Sequence, residues 1–316
     1  MVRQCCGVRS GPLLRIIKHE QFAPPRQESE MIDMDLGLAG KRALVTGASR
    51  GLGKALAMNL AQEGAHVAIA ARSPEPLADA AKEIRQKTGR VVVPIALDVM
   101  NNNSIQAAVA KAADELGGLN ILANCAARTG GHGEEADVYA TASEDGMIAD
   151  FTEKVVGSLR LVRAAEKHLV AGGGGRVLLF SGGAGRVRGG LISAGTRNRA
   201  VNHLTVSLAN ALGKYGVGVV CVAPGATVTE RQMDAHRRAA KQAGTPLDDY
   251  IADRAHKTTL MRRLVMAGDV AQVATFLCAP VSWPINAAVI EVAGGSSGDI
   301  HYELEPHAPW EPGTAI

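Results

Sequence analysis

The segment Thr46-Gly47-Ala48-Ser49-Arg50-Gly51-Leu52-Gly53 puts three glycines at a spacing that suits phosphate chemistry. An apolar run leads into it and a helical pattern leaves it, which is the context such a turn needs. Glycines there permit the tight turn and let backbone N–H groups reach a pyrophosphate, while the helix N-terminus adds positive potential. The second apolar run, Val67-Ala68-Ile69-Ala70-Ala71, ends at Arg72-Ser73 and carries no acid. A ribose 2′-hydroxyl wants a carboxylate at that place. Arg72, with Arg50 beside it, suits a 2′-phosphate instead, because a guanidinium presents its donors as a planar fork. The cofactor expected from these residues is NADP(H).

The elements that must hold this turn are legible as a pattern. Apolar runs at Ala43–Thr46, Val67–Ala71, Val91–Leu97, Ile121–Asn124, Val177–Phe180, Val217–Val222 and Ala288–Val292 are continuous rather than alternating. Strands buried on both faces read this way. Helical patterns lie between them, among others Gly53–Glu63, Leu77–Lys87, Ser104–Leu116, Ile148–Val170 and Arg197–Lys214. The alternation predicts an α/β fold: a Rossmann-type, doubly wound, parallel seven-stranded sheet with helices on both faces. The expected organisation is an N-terminal arm over 1–33, one domain over 34–298 and a surface tail over 299–316. Residues 1–33 are basic at first and lack the apolar core of a secretory signal.

Further segments agree with one family in order and spacing. Asp98-Val99 follows the third strand, Asn124-Cys125-Ala126-Ala127 the fourth, and Pro224-Gly225 with Thr229 the sixth. Val292-Ala293-Gly294-Gly295 closes the series. With the Thr-Gly-x-x-x-Gly-x-Gly turn, this set resembles the short-chain dehydrogenase/reductase (SDR) family. The resemblance implies that Gly47, Ser49, Arg50, Gly51, Leu52, Gly53, Arg72, Asp98, Val99, Asn124, Ala126, Arg197, Pro224, Gly225 and Thr229 line the cofactor site.

It also implies an Asn–Ser–Tyr–Lys catalytic set, and this chain does not carry that set. None of Tyr139, Tyr215, Tyr250 and Tyr302 has Lys four residues on. The Tyr and Lys positions fall on Ser193 and Arg197, and the Asn position on Lys154. The usual Ser pair is Ser181-Gly182, and the catalytic register matches Gly182 more naturally than Ser181. The candidate catalytic residues are therefore Ser181, Ser193, Arg197 and Lys154. A serine hydroxyl is a poor acid or base near neutrality, and Arg197 keeps its proton but can bind ribose or an oxyanion. Lys154 reads first as a surface lysine. If buried, its pKa would shift and it could serve as the acid. Tyr250 is followed by Arg254, but in the stretch that resembles the variable substrate loop. His132 borders the expected cleft, and His203 turns off the Ser193/Arg197 face.

Arg128, Arg186, Arg188, Arg197 and Arg199 lie in segments expected at the C-terminal edge of the sheet, so the small-molecule substrate can be anionic. A net charge of +3 and 3% aromatic residues argue against nucleic acid. No apolar run approaches the ~18 residues that span a bilayer. The five cysteines, Cys5, Cys6, Cys125, Cys221 and Cys278, suit no zinc spacing, and no metal is expected. A reducing, cytoplasmic setting follows. Apolar residues Val155, Leu159 and Val162, and Val201, Leu204, Leu208 and Leu212, recur at helical spacing on the two long helices. The resemblance implies that these helices pair across a two-fold axis. A homodimer or homotetramer is expected, or a hetero-oligomer with an active SDR paralogue.

The reading placed first is an NADP(H)-binding SDR-type oxidoreductase acting on a carbonyl/alcohol substrate with a non-standard proton donor. One alternative is a catalytically silent NADP(H)-binding partner subunit or sensor. Another is a redox-neutral enzyme on this scaffold, because Arg197 is similar to the Arg of the Tyr-x-x-x-Arg pattern in halohydrin dehalogenases.

Overall fold

The computed structural model describes residues 35–128, 139, 141–186 and 191–296. Seven parallel strands form one sheet in the order β3-β2-β1-β4-β5-β6-β7. They are β1 (Arg42–Thr46), β2 (His66–Ala71), β3 (Val92–Ala96), β4 (Ile121–Asn124), β5 (Gly175–Phe180), β6 (Val217–Pro224) and β7 (Val289–Val292). The continuous apolar runs have their expected cause: residues 43–46 of β1 and 67–70 of β2 are buried on both sheet faces. One core layer joins Val45, Leu56, Leu60, Ile69 and Val270. The other joins Leu44, Ile105, Leu122, Leu161 and Val219 on the opposite face.

The helices are α1 (Gly51–Gln62), α2 (Pro74–Thr88), α3 (Asn102–Leu116), α4 (Glu144–Phe151), α5 (Gly157–Ala171), α6 (Ile192–Leu212), α7 (Glu230–Gln242), α8 (Leu247–Thr258) and α9 (Ala267–Cys278). Three of these, α7 to α9, were not singled out from the sequence. Among the described residues no helix is long and apolar enough to cross a membrane.

The long helix expected over Ile148–Val170 needs correction. It starts earlier, at Glu144, and is interrupted by a π turn over Thr152–Val156, where the Gly157 N–H bonds to the Thr152 carbonyl. Such turns are rare and are frequently found at functional sites. The Gly157 Cα sits so close to the segment after β3 that a Cβ would lie 3.0 Å from the Val99 carbonyl. Helix α6 also starts earlier than expected, at Ile192, which puts Ser193 and Arg197 together in its first turns. Of the apolar stripe on these helices, Val162, Val201, Leu208 and Leu212 are buried within the subunit.

The arm 1–33, the tail 299–316, Cys5, Cys6, His132, Arg188 and Tyr302 lie outside the described residues.

Candidate functional site

The strand order reverses between β1 and β4, which is where open α/β sheets bind ligands, beyond the carboxyl ends of the strands. Thr46 ends β1 and sits in register with Asn124, which ends β4. The glycine turn opens from that point into α1. Gly47 has φ +65, and a Cβ there would lie 2.8 Å from the Cys125 carbonyl and the Ala126 nitrogen. A Cβ on Gly53 would lie 2.5 Å from the Gly47 carbonyl oxygen. Because both obstacles are backbone, Gly53→Ala should cost about 1–3 kcal/mol, as overpacking does. A fall in the denaturant midpoint would show it. Gly268→Ala, with nothing within 4 Å of its Cβ, should leave the midpoint nearly unchanged.

The turn therefore has the shape of a phosphate cradle: bare backbone at an α-helix N-terminus. Arg50, the N-cap of α1, and Arg72, just past β2, are both exposed at this edge. Their cations suit a phosphate there. Asp98 is half-buried past β3, where its Oδ1 accepts from the Met100 N–H at 2.9 Å. Val99 beside it is buried.

Asn124, expected as a cofactor contact, has its amide taken up by protein groups. Its Oδ1 accepts from Thr46 Oγ1 at 2.5 Å, and its Nδ2 donates to Ser158 Oγ at 2.8 Å. Ser158 Oγ in turn donates to the Lys154 carbonyl at 2.5 Å, inside the π turn. A chain of hydrogen bonds thus runs from the end of β1 to the backbone of Lys154. Asn124 also accepts from the Ala126 N–H at 3.3 Å, which fixes the exit of β4. At the far side, Pro224 ends β6 opposite Val292, and a Cβ on Gly225 would collide with Ala293 and Ser296. Thr229 serves as N-cap of α7, and Gln232 Oε1 accepts from its N–H at 3.2 Å.

The catalytic candidates split into two groups. The first is Lys154, whose reading as a surface lysine is overturned: it is 8% exposed. The π turn directs it inward, where Nζ donates to the Ser181 carbonyl at 2.9 Å and to Asn198 Oδ1 at 2.7 Å. Burial, and then the Arg197 charge, bring its pKa down from 10.5 to about 8; Cys221, Asp150 and Glu153 pull the other way. Ser181 is buried just past β5, beside the Cys221 thiol.

The second group is Ser193 and Arg197 on α6, and both meet Asp150 of α4. Ser193 Oγ donates to Asp150 Oδ2 at 2.5 Å. Arg197 Nη1 lies 2.8 Å from Asp150 Oδ1. That contact is a charge pair whose N–H is not aligned with the oxygen, so Nε and Nη1 of Arg197 make no directional hydrogen bond. Arg197 Nη2 also donates to the Arg128 carbonyl at 3.4 Å. Arg197 is 6% exposed and Asp150 2%. Asp150 thus pairs with the charge that Arg197 was expected to offer ribose or an oxyanion.

Asp150, Asn198 and Glu153 were missed from the sequence. Glu153 is buried, and its Oε2 accepts from the Arg128 N–H at 2.8 Å. Arg128 and Arg199 are exposed, and Arg186 lies 3.7 Å from Glu291. His203 is exposed on α6. Tyr250 stacks obliquely on His236, with ring centroids 5.9 Å apart, and Arg254 helps line a cavity of about 110 Å³ between α7 and α8. Cys221 and Cys278 are buried thiols, and burial pushes both up. Among the described residues no group of three or more His, Cys, Asp or Glu is placed to hold a metal ion.

The chain was compared with known proteins. The family profile described as short chain dehydrogenase matches residues 41–240. The short-chain reductase protein NovJ of Streptomyces niveus is 30% identical over 254 residues, 80% of this chain and 92% of that protein. The structure of L-sorbose reductase from Gluconobacter frateurii, complexed with NADPH and L-sorbose, superposes with a TM-score of 0.76 at 26% identity, covering 83% of this chain and 98% of that one. A short chain dehydrogenase from Burkholderia cenocepacia in complex with NADP gives 0.69 at 31% identity, covering 82% and 98%. With the profile spanning most of the sheet and the glycine turn at its switch point, the chain belongs to the short-chain dehydrogenase family.

Proposed function

We propose that the chain is an NADP(H)-dependent oxidoreductase acting on a carbonyl/alcohol pair, in which Lys154 supplies the proton that a tyrosine gives elsewhere in the family. The observation that carries this is the inward Lys154 ammonium, held between the Ser181 carbonyl and Asn198 and titrating at about 8. A general acid works best when its pKa lies near the working pH.

The glycine turn from Gly47 to Gly53 would hold the pyrophosphate, Arg50 and Arg72 the 2′-phosphate, Asp98 and Val99 the adenine end, and Thr229 the nicotinamide end. When bound, the nicotinamide supplies or takes up the hydride. Lys154 Nζ gives its proton to the alkoxide oxygen that forms on carbonyl reduction, and takes one up in the reverse direction. The structures of relatives in complex with NADPH and NADP support the choice of cofactor. Arg72→Glu should weaken NADPH binding by about 1–3 kcal/mol, the range of charge-assisted hydrogen bonds. Titration of variant and wild type with NADPH and NADH checks it; equal affinity of the wild type for both would reject the 2′-phosphate role.

The direct test is the pH profile of carbonyl reduction with NADPH. Lys154 must be protonated to act, so the rate holds below about pH 8 and falls above it, while alcohol oxidation rises through the same range. A reduction rate flat from pH 6 to 10 would defeat the assignment. The silent-subunit reading draws support from a different observation, the neutralisation of Arg197 by Asp150. Tight NADPH binding without turnover on any carbonyl would favour it. The exposed Ile148, Phe151 and Val206 on α4 and α6 support the expected homodimer or homotetramer.

A further inference from the structure

The end of β5 contains a fitted pair that neither strand nor helix explains alone. Asn198 lies one residue past Arg197 on α6 and is 5% exposed. Two glycines after β5 make room for it. A Cβ on Gly182 would lie 2.9 Å from Asn198 Nδ2, and a Cβ on Gly185 would lie 2.8 Å from Asn198 Cβ. The slot fixes the amide so that Oδ1 faces Lys154 Nζ at 2.7 Å, while the Ser181 carbonyl takes a second N–H at 2.9 Å. An amide oxygen and a carbonyl oxygen are both acceptors only, so this pair favours the charged ammonium over the neutral amine. The space that a side chain at position 182 would need is filled by Asn198.

We propose that Asn198, seated in the slot opened by Gly182 and Gly185, is the positioning residue that holds the Lys154 ammonium at the end of β5. The inference uses the same site as the proposed reaction, but its test does not require turnover. Besides Asn198 and Ser181, the groups facing Lys154 are Arg197 from α6, Cys221 from β6, Asp150 from α4 and Glu153 from its own turn.

The experiment follows the Lys154 side-chain NMR signal against pH in the full chain with lysine isotopically labelled, the signal being assigned by its loss in Lys154→Arg. Asn198→Asp adds a charge at the acceptor and should move the midpoint up, with at least a tenfold change in the proton equilibrium. Asn198→Ala removes the acceptor and should move it down. Gly182→Ser should push Asn198 aside and reproduce the alanine result. Folding of each variant is checked by its unfolding transition, and Asn198→Asp, nearly the same shape as wild type, keeps the test open if Gly182→Ser does not fold. Folded Asn198 variants with an unmoved Lys154 midpoint would overturn the proposal. A Gly182→Ser protein with a wild-type midpoint would overturn the part played by the slot. If the midpoint moves as expected while the pH profile of reduction stays put, the positioning role stands and the assignment of Lys154 as proton donor falls.

Discussion

Lys154→Met should lower carbonyl reduction by about 10²–10⁴-fold, the usual contribution of a general acid. NADPH affinity should be unchanged, because the residues proposed to hold the cofactor lie in the glycine turn, at Arg72, beyond β3 and at Thr229, and Lys154 is not among them. The loss should appear in kcat rather than KM, and steady-state kinetics beside an NADPH titration measure both. A second signature is independent of substrate. Lys154 titrates at about 8 when folded and near 10.5 when not, so between those values the unfolded chain binds more protons. Stability of the wild type should therefore rise with pH through that window, and be lower where Lys154 is charged. Lys154→Met should remove this part of the slope. An equal slope in both proteins would show that Lys154 is not held in the buried, desolvated setting described above.

The next largest effect is expected at Asp150. Asp150→Ala leaves Arg197, 6% exposed, with the Arg128 carbonyl at 3.4 Å as its one hydrogen-bond acceptor among the described residues. Breaking a buried pair by removing one partner costs about 3–5 kcal/mol. Chemical unfolding of the single variant should show this loss, and Asp150→Leu with Arg197→Met should recover most of it, since no buried charge is then left uncompensated. If the single variant is as stable as wild type, solvent reaches Arg197 and the pair is not the lock it looks to be. Asp150 also bears on any attempt to rebuild the family's usual residues. Ser193→Tyr with Arg197→Lys would put a phenol against a buried carboxylate that now accepts from Ser193 at 2.5 Å. A carboxylate there disfavours the phenolate that the reaction needs. That double variant should gain activity only when Asp150 is replaced as well.

Much of this arrangement is legible in the sequence, and the rest is hidden for a definable reason. Buried parallel strands announce themselves as unbroken apolar runs, and the glycine turn follows from its place between strand and helix. The Ser193/Arg197 pair was legible too, since a spacing of four sets both on one helix face. What escaped was pairing between elements. Asp150 meets Ser193 across 43 residues of sequence, and Lys154 meets Asn198 across 44. No local pattern encodes such contacts. The π turn escaped for a related reason: it keeps helical composition while changing the hydrogen-bond offset, so Thr152–Val156 reads as ordinary helix. Nothing in that local pattern marks Lys154 as facing inward.

The π turn also makes chain length at this point a property of the site. Each residue of an α-helix advances the chain by about 100° around the axis. Deleting one residue within 152–156 would let the chain relax into plain α-helix, with hydrophobic burial of α5 intact. The residues before the deletion would keep nearly the same facing relative to α5, because five residues of a π turn wind about as far around the axis as four of an α-helix; the residues inside the turn, Lys154 among them, would change their direction. A one-residue deletion, nearly silent in composition and helical content, would thus cost the inward placement of Lys154 while leaving the Asp150 contacts with Ser193 and Arg197 in place.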